Sequence, residues 1–428
     1  MADMPLLIIL AGGASSRMWP LREKSLIRFG DEPLMARQLR RYAGFGLTEA
    51  VIVANPESEA DIRALADAIP GVSARVVVQP TPKGMGDALL CAAPGVEGDR
   101  PLYVVQVHDV TDDVMHHDLL SAYAAEPHAA FIAGYEREDY FPGGYLIVDA
   151  EGRITGIVEK PGAANRPSNL VNIVAHIHPS ATRLFDAVRE EYVKDIPTDD
   201  HYERAMDRLM GEMTFRVVPY RGVWNALKFP WHTLDIMNTF LAQIEGQHVA
   251  ESAFIAKTAT LVGNVVIGEG AKVFPGAAVV GPAYIGAHTI VGNNALVRNS
   301  MVLDHCNVGF TTEVARSYVA DHCDMHACRV LDSVFAPGVN FSAGCTTANL
   351  RIDRGSVPSV VKGARMDTGR DKLGAIIGQG AFIAVDVMTM PGVKIGERAQ
   401  VGPGMHVHHD LKDGVRAYVK QEITIIER

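Results

Sequence analysis

Hydrophobic positions follow two different rhythms along this chain, and the change between them divides it. From Ile255 every sixth residue is aliphatic: Leu261, Ile267, Val273, Val279, Ile285, Val291, Val297 and Leu303. Two positions before each stand mostly small residues: Ala253, Ala259, Val265, Ala271, Ala277, Ala283, Thr289, Ala295 and Met301. Neither the helical period nor strand alternation produces such a beat. A solenoid does, with each aliphatic side chain pointing into a shared core and each small one fitting a tight corner. The beat returns at Ile377, Ile383, Thr389, Ile395, Val401 and Val407. Glycine follows many of these positions, as at Gly268, Gly286, Gly292, Gly378 and Gly396, which suits turns needing unusual backbone angles. From Asp304 to Arg370 the beat breaks, so function rather than packing is expected there.

Upstream the pattern is one of strands alternating with helices. Leu6–Leu10 is a short apolar run without alternation, as in a strand buried on both faces. A helix over Leu34–Gly44, a strand at Ala50–Val53, a helix over Glu57–Ala68 and a strand at Ala74–Val78 follow. Further strands are expected at Leu102–Val107 and Tyr145–Asp149. This alternation predicts an α/β doubly wound sheet. Residues 243–252 read as a polar connector. The expected organisation is an α/β domain over residues 1–245 and a parallel β-helix over residues 250–428.

Composition narrows the function. A chain of 428 residues suits about two domains. A formal net charge of −10 leaves no electrostatic footprint for nucleic acid, so anionic ligands must be held by local Lys, Arg and backbone N–H groups. No apolar run approaches membrane length, and the first ten residues lack a signal peptide's basic start and cleavage site. A cytoplasmic protein without a membrane partner is expected. The five cysteines fit reduced thiols. Cys306 and Cys323, like Cys328 and Cys345, are about one coil apart and would stack as core or wall residues. His305, His322 and His326 nearby also admit a metal reading.

The first strand runs straight into Ala11-Gly12-Gly13, where glycines would let backbone N–H groups approach phosphate. The order LAGGASSRMWPL then EKSLIRFGDEPL resembles the signature of sugar-1-phosphate nucleotidyltransferases. The resemblance places Ala11, Gly12 and Gly13 at the nucleotide. It places Arg17 and Lys24 on the triphosphate and sugar phosphate, as permanent cations able to neutralise charge on the α-phosphate. Ser15 stands where the family has Gly, and Glu23 where it has Pro. The turn from Gln79 to Gly84 resembles the family's base-reading turn, in which a Gln side chain and a Gly backbone bond a pyrimidine edge. Asp109 falls on the carboxylate that holds Mg²⁺, with His108 replacing Gly. Gly144, the Glu159-Lys160-Pro161 motif and Asn172 fall on the sugar-binding positions, while Val174 and His176 replace the common Gly and Tyr. The element from Trp224 to Leu234 resembles W-x-D-I-G-x-P-W-x-x-L. Ala226 stands at its second metal-binding Asp and Lys228 at its Gly. Three outcomes stay open: Asp109 and phosphates hold the metal alone, Lys228 substitutes its charge, or pyrophosphorylase chemistry is lost.

The six-residue beat resembles the left-handed parallel β-helix of hexapeptide acyltransferases. Residues 324–333 resemble the acetyltransferase element of bifunctional enzymes, in which a His takes a proton from the amino-sugar amine. His326 holds that place. Residues 340–353 match N-x-G-A-G-T-x-T-A-N-L-R-x-D, bringing in Asn349. Residues 361–378 resemble the archaeal-type version, with Lys362, Arg370 and Lys372 available for sugar phosphate or coenzyme phosphates. The resemblance thus implies an archaeal-type bifunctional sugar-1-phosphate nucleotidyltransferase/acetyltransferase. It would join an NTP (UTP or dTTP) to N-acetylglucosamine 1-phosphate with Mg²⁺, use acetyl-CoA as co-substrate, and form a homotrimer. Departures at Ser15, His108, Val174 and Ala226 keep two other readings open. One is a non-catalytic nucleotide-sugar-binding homologue, and the other is a nucleotidyltransferase for another sugar phosphate with an inactive acyltransferase domain.

Overall fold

The computed structural model describes residues 3–141, 143–194 and 199–426. Packing divides the chain into two units. The first holds Met1–Ala14, Ser25–Ile27 and Pro33–Ala226; the second holds Ser15–Lys24, Arg28–Glu32 and Leu227–Arg428. Two short stretches near the N-terminus therefore belong, by their contacts, with the C-terminal half.

The strands of the first unit are β1 (Leu6–Ala11), β2 (Glu49–Ala54), β3 (Ser73–Val78), β4 (Leu102–Gln106), β5 (Asp109–Thr111), β6 (Ala130–Glu136), β7 (Gly144–Val148), β8 (Ile154–Glu159), β9 (Leu170–His178), β10 (Phe215–Tyr220) and β11 (Trp224–Ala226). Nine of them form one sheet in the order β8-β7-β9-β4-β1-β2-β3, with β6 pairing β9 and β10. β1, β2, β3 and β4 run parallel, and β9 runs antiparallel to β4. All six residues of β1 are buried because its two faces feed two cores. Leu7, Ile9 and Ala11 pack with α1 (Leu34–Gly44), α2 (Glu59–Asp67) and α4 (Asp113–Ala125). Leu6, Ile8 and Leu10 pack with α3 (Met85–Ala92), α5 (Ala181–Val193) and α6 (His201–Glu212). That is the doubly wound sheet the apolar runs predict, each Leu or Ile adding about 1.5–3 kcal/mol on burial. α2 begins two residues later than expected. The Asn55 carboxamide oxygen accepts from the Glu57 and Ser58 N–H groups and the Ser58 hydroxyl, holding a turn in place of the first helical residues.

The second unit is the left-handed parallel β-helix, with walls of eight, nine and eight parallel strands. The first wall starts at Gln247–Val249, the second at Phe254–Ile255 and the third at Thr260–Val262. The first rung thus lies inside the stretch expected to be a connector, pairing with Val265–Ile267. Val265 pairs with Ala283, eighteen residues on, so one coil is three hexads. Ile267, Val273, Val279, Ile285, Val291 and Val297 are buried as the beat requires. The beat then slips. Val302, not Leu303, stacks on Ile285, and Met301 stacks on Tyr284 in the outward-facing column. The cause is a corner one residue shorter, Asn299-Ser300, with Asn299 at φ 48°. Shorter corners at Arg316 and Asp332 repeat the slip, so the solenoid continues where its sequence beat is lost.

The glycines after the aliphatic residues serve a different purpose from the one expected. A Cβ on Gly268, Gly286, Gly378 or Gly396 would lie 2.4–2.9 Å from backbone atoms of the next coil, so stacking forbids a side chain there. The left-handed corners lie elsewhere, at residues such as Gly270, Gly276, His288 and Asn294. Cys306, Cys323, Cys328 and Cys345 are buried in the coil core as free thiols. His305 and His322 are exposed at a corner, stacked with His288 at 5.0 Å between successive ring centroids. The cysteines and histidines therefore face opposite sides of the wall, which separates the groups a shared metal would need.

Candidate active sites

Two clusters form in the first unit, both at the C-terminal edge of its parallel strands, where α/β sheets collect ligands. In the first, Ala11 ends β1, Gly12 and Gly13 follow, and Gln79 follows β3. A Cβ on Gly12 would sit 2.4 Å from the Gln79 Oε1, so the two chain segments touch only because Gly12 has no side chain. Gln79 Nε2 donates to the Gly84 carbonyl at 3.1 Å and to Asp87 Oδ2 at 2.7 Å. Gly84, at φ 93°, caps α3 where a Cβ would meet the Asp199 carbonyl at 2.8 Å.

The second cluster is made by strand register. Gly144 opens β7 directly opposite Glu159, the last residue of β8. A Cβ on Gly144 would lie 3.1 Å from Glu159 Oε2 and 3.6 Å from the Asn172 Cβ, so all three line one hollow. Lys160 stands next to them at φ 46°, with Nζ 3.2 Å from Glu159 Oε1. Asn172 is held from behind by a buried chain. Its Oδ1 meets His176 Nε2 at 2.8 Å, His176 Nδ1 meets the Tyr202 hydroxyl at 2.7 Å, and His178 Nε2 meets the same hydroxyl at 2.9 Å. Burial lowers both histidines to about 3, so they are neutral, and His176 Nε2–H donates to Asn172. The His in place of the common Tyr thus orients the neighbouring Asn. A bulge between Ile173 and His176 on β9 accommodates Val174.

Asp109 starts β5, is buried, and accepts from Trp224 Nε1 at 3.2 Å. β5 pairs antiparallel with β11, and the residue facing Asp109 is Ala226. Directly paired residues hold their Cβ atoms about 4.5–5.5 Å apart, the spacing at which two carboxylates could share one cation. Here one of the two is missing, and among the described residues no group of three His, Cys, Asp or Glu could hold a metal. The donor set fits Mg²⁺ in its one-carboxylate form, in which phosphates and water complete the shell.

One carboxyl in this unit had no signal in the sequence. Glu203 on α6 has a buried Oε2 without a hydrogen-bond partner. Burial, reinforced by Glu159, Asp200 and Asp199, pushes its pKa up to about 7. A lone Glu in an amphipathic helix reads as a solvated face, so only the packing reveals it.

Arg17 and Lys24 lie in the second unit. The Arg17 guanidinium sits 5.9 Å from the Phe229 ring centroid, and Phe229 stacks on buried Trp231. Ser15, at φ 48°, keeps the left-handed backbone that Gly would favour, and its hydroxyl donates to Glu23 at 3.1 Å. The two departures in this stretch therefore bond to each other.

In the β-helix the expected acyl-site residues are dispersed. His326 is exposed at the corner between the second and third walls, beside Gly309 of the preceding coil. Asn349 stands just past Thr346–Thr347 on the third wall, so the two flank that wall from different corners. The Asn349 carboxamide donates to Asp332, which Arg316 grips through two bonds of 2.7 Å. Lys372 joins Asn349 at the base of an inserted hairpin, through a bridge to Leu350 and the Leu373 N–H to Asn349 carbonyl bond. Lys362 sits at that hairpin's exposed tip, where Lys362-Gly363 turns between Pro358–Val361 and Ala364–Asp367.

The nucleotidyl transferase family profile matches residues 6–216. The bifunctional protein GlmU of Methanococcus maripaludis is 27% identical over 98% of this chain and 99% of its own. A bifunctional sugar-1-phosphate nucleotidylyltransferase/acetyltransferase of Sulfurisphaera tokodaii is 28% identical over 95% of this chain and 98% of its own. Among solved structures, the UTP-bound UGPase of Acinetobacter baumannii has a TM-score of 0.47 at 19% identity, covering 56% of this chain and 93% of that one. No helix among the described residues is long and apolar enough to cross a membrane.

Proposed function

We propose a substrate pair and a second activity for this enzyme, whose residues 6–216 form a nucleotidyl transferase domain and which is related along nearly its whole length to bifunctional sugar-1-phosphate nucleotidylyltransferase/acetyltransferases. In the first reaction a phosphate oxygen of N-acetylglucosamine 1-phosphate attacks the α-phosphorus of UTP or dTTP. The bond to the β-phosphate breaks and pyrophosphate leaves. Gly12, Gly13, Gln79 and Gly84 bind the nucleotide; Gly144, Glu159, Lys160 and Asn172 bind the sugar. Arg17 and Lys24 neutralise charge as it develops. Asp109 would hold Mg²⁺, which supplies further neutralisation when bound. The observation that carries this reading is the joint hollow of Gly144, Glu159 and Asn172.

In the second reaction His326 takes a proton from the amine of glucosamine 1-phosphate, whose nitrogen attacks the thioester carbonyl of acetyl-CoA. The C–S bond breaks, and the coenzyme thiolate takes up a proton. Asn349, Lys362 and Lys372 bind substrate or coenzyme phosphates. We assign the first reaction to a domain over residues 1–245 and the second to residues 250–428, in a homotrimer. Exposed Phe254, Phe310 and Phe382 on the β-helix support packing against copies. The test is a panel of UTP, dTTP, ATP and GTP against sugar 1-phosphates with Mg²⁺, scored for pyrophosphate, with light scattering for mass. No metal-dependent release with any pair would favour a nucleotide-sugar-binding protein, the reading that Ala226 opposite Asp109 supports.

A further inference from the structure

The outward-facing column of the first wall is unusual for a solenoid surface. Met301, Tyr318, Val334 and Ile376 on it are buried, and the next rung places Lys394 in the same column, 3% exposed. A lysine that deep costs desolvation unless its three donors are met. Its Nζ donates to the Val360 carbonyl, lies 3.5 Å from Asp410 Oδ2, and faces the indole of Trp19 at 4.8 Å from the ring centroid. The other edge of that indole donates from Nε1 to Asp413 Oδ1 at 3.0 Å. Asp413 Oδ1 also accepts the Glu397 N–H at 2.8 Å, and Arg22 pairs with Glu397. The stretch Ser15–Lys24 is therefore fastened to the last coils of the β-helix at two points, Trp19 and Arg22.

The two fasteners fall beside the two cations. Trp19 stands two residues after Arg17, and Arg22 stands two residues before Lys24. The Ser15 to Glu23 bond closes the stretch on itself, so displacement at one fastener is carried along it. We infer that coils 394–413 of the β-helix hold Arg17 and Lys24 in position for nucleotidyl transfer, with Trp19, Lys394 and Asp413 as positioning residues. This rests on the role proposed above for the two cations. It goes beyond that role in making the first reaction depend on the far end of the β-helix, whether or not the second reaction occurs.

The test uses full-length Lys394→Met, Lys394→Arg and Asp413→Asn. Trypsin should cut wild type slowly at Arg17, Arg22 and Lys24 and cut Lys394→Met and Asp413→Asn there several-fold faster, as read by mass spectrometry. Pyrophosphate release should fall by about 10- to 100-fold in kcat for Lys394→Met, the worth of a small misplacement of charged groups. Lys394→Arg, which keeps a cation over the indole, should restore most of it. KM for the sugar 1-phosphate should change little. Unchanged cleavage and unchanged kcat in both Lys394→Met and Asp413→Asn would overturn the inference. If Lys394→Met fails to fold, exposed Asp413→Asn carries the same comparison. Wild type without turnover would refute the proposed reaction, while the cleavage rates would still decide whether the β-helix holds the stretch.

Discussion

The cluster proposed to bind sugar in the first unit and the residues proposed for the acyl site of the β-helix reach their places by opposite routes. Gly144, Glu159 and Asn172 lie 15 and 13 residues apart in sequence, and pairing of β7 with β8 and β9 puts them in one hollow. His326 and Asn349 lie 23 residues apart, more than the 16-residue coil that stacks Phe341 on Met325, and the triangular section sends them to different corners. A sheet edge gathers strand ends, whereas a solenoid spreads each coil around its perimeter. A site on a solenoid corner therefore needs a wall from elsewhere, and the proposed homotrimer would supply it from a second copy of the chain.

The largest expected effect tests that contrast directly. His326→Ala should lower coenzyme A release by about 10²–10⁴-fold while leaving pyrophosphate release intact. Mixing His326→Ala chains with Asn349→Ala chains, then refolding together, should recover part of the acetyl transfer if each site draws on two copies. Recovery of nothing, with trimers confirmed by light scattering, would place both residues in one chain's site and erase the distinction.

Asp109→Ala comes next and should show no such recovery when mixed with other first-unit variants. Its removal takes away the only carboxylate on the β5–β11 pair, and pyrophosphate release should fall by about 10²–10³-fold. Ala226→Asp would supply the second carboxylate across the pair and should lower the Mg²⁺ concentration needed for half-maximal rate. A rate indifferent to both changes would remove Asp109 from the reaction.

What the sequence made legible differs between the regions for the same reason. β1 was readable because burial on both faces leaves an uninterrupted apolar run, and the meeting of Gly144, Glu159 and Asn172 because their motifs sit on strand ends. The hexads were readable as long as corners kept one length; at Asn299-Ser300 a single missing residue moved the rung from Leu303 to Val302. Two kinds of feature left no mark. Contacts over hundreds of residues, such as Trp19 with Asp413, have no local pattern. Burial of a single polar group, as at Glu203 or Lys394, depends on what other elements lay over it.

Glu203 sharpens the contrast from the side of stability. Its pKa rises from 4.5 to about 7 on folding, so the folded chain holds a proton that the unfolded chain has released. Stability contributed by the protonated form is present below about pH 4.5 and is lost as pH rises toward 7, beyond which the full penalty remains. Glu203→Gln, a neutral mimic, should raise unfolding free energy by about 2–3 kcal/mol at pH 8 and by nearly nothing at pH 4.5, measured in urea. Equal gains at both pH values would mean that the carboxyl's charge is not what the fold works against.

The smallest effect concerns base choice, and it follows from how fully Gln79 is already engaged. Its Nε2 is committed to Gly84 and Asp87 and the residue is buried, so of its carboxamide only Oε1, beside Gly12, is left for the proposed contact with a pyrimidine edge. Gln79→Ala should therefore raise KM for UTP or dTTP by the worth of one hydrogen bond, about 1 kcal/mol or roughly fivefold. Gly12→Ala offers an independent route to the same position, because the added methyl would stand 2.4 Å from Oε1 and force the carboxamide aside. If Gln79 reads the base, the two variants should shift KM for pyrimidine nucleotides in the same direction, and the double variant should add little to the larger single shift. Wild type that accepts ATP or GTP as readily as UTP would mean that the carboxamide props the glycine turn without reading the base.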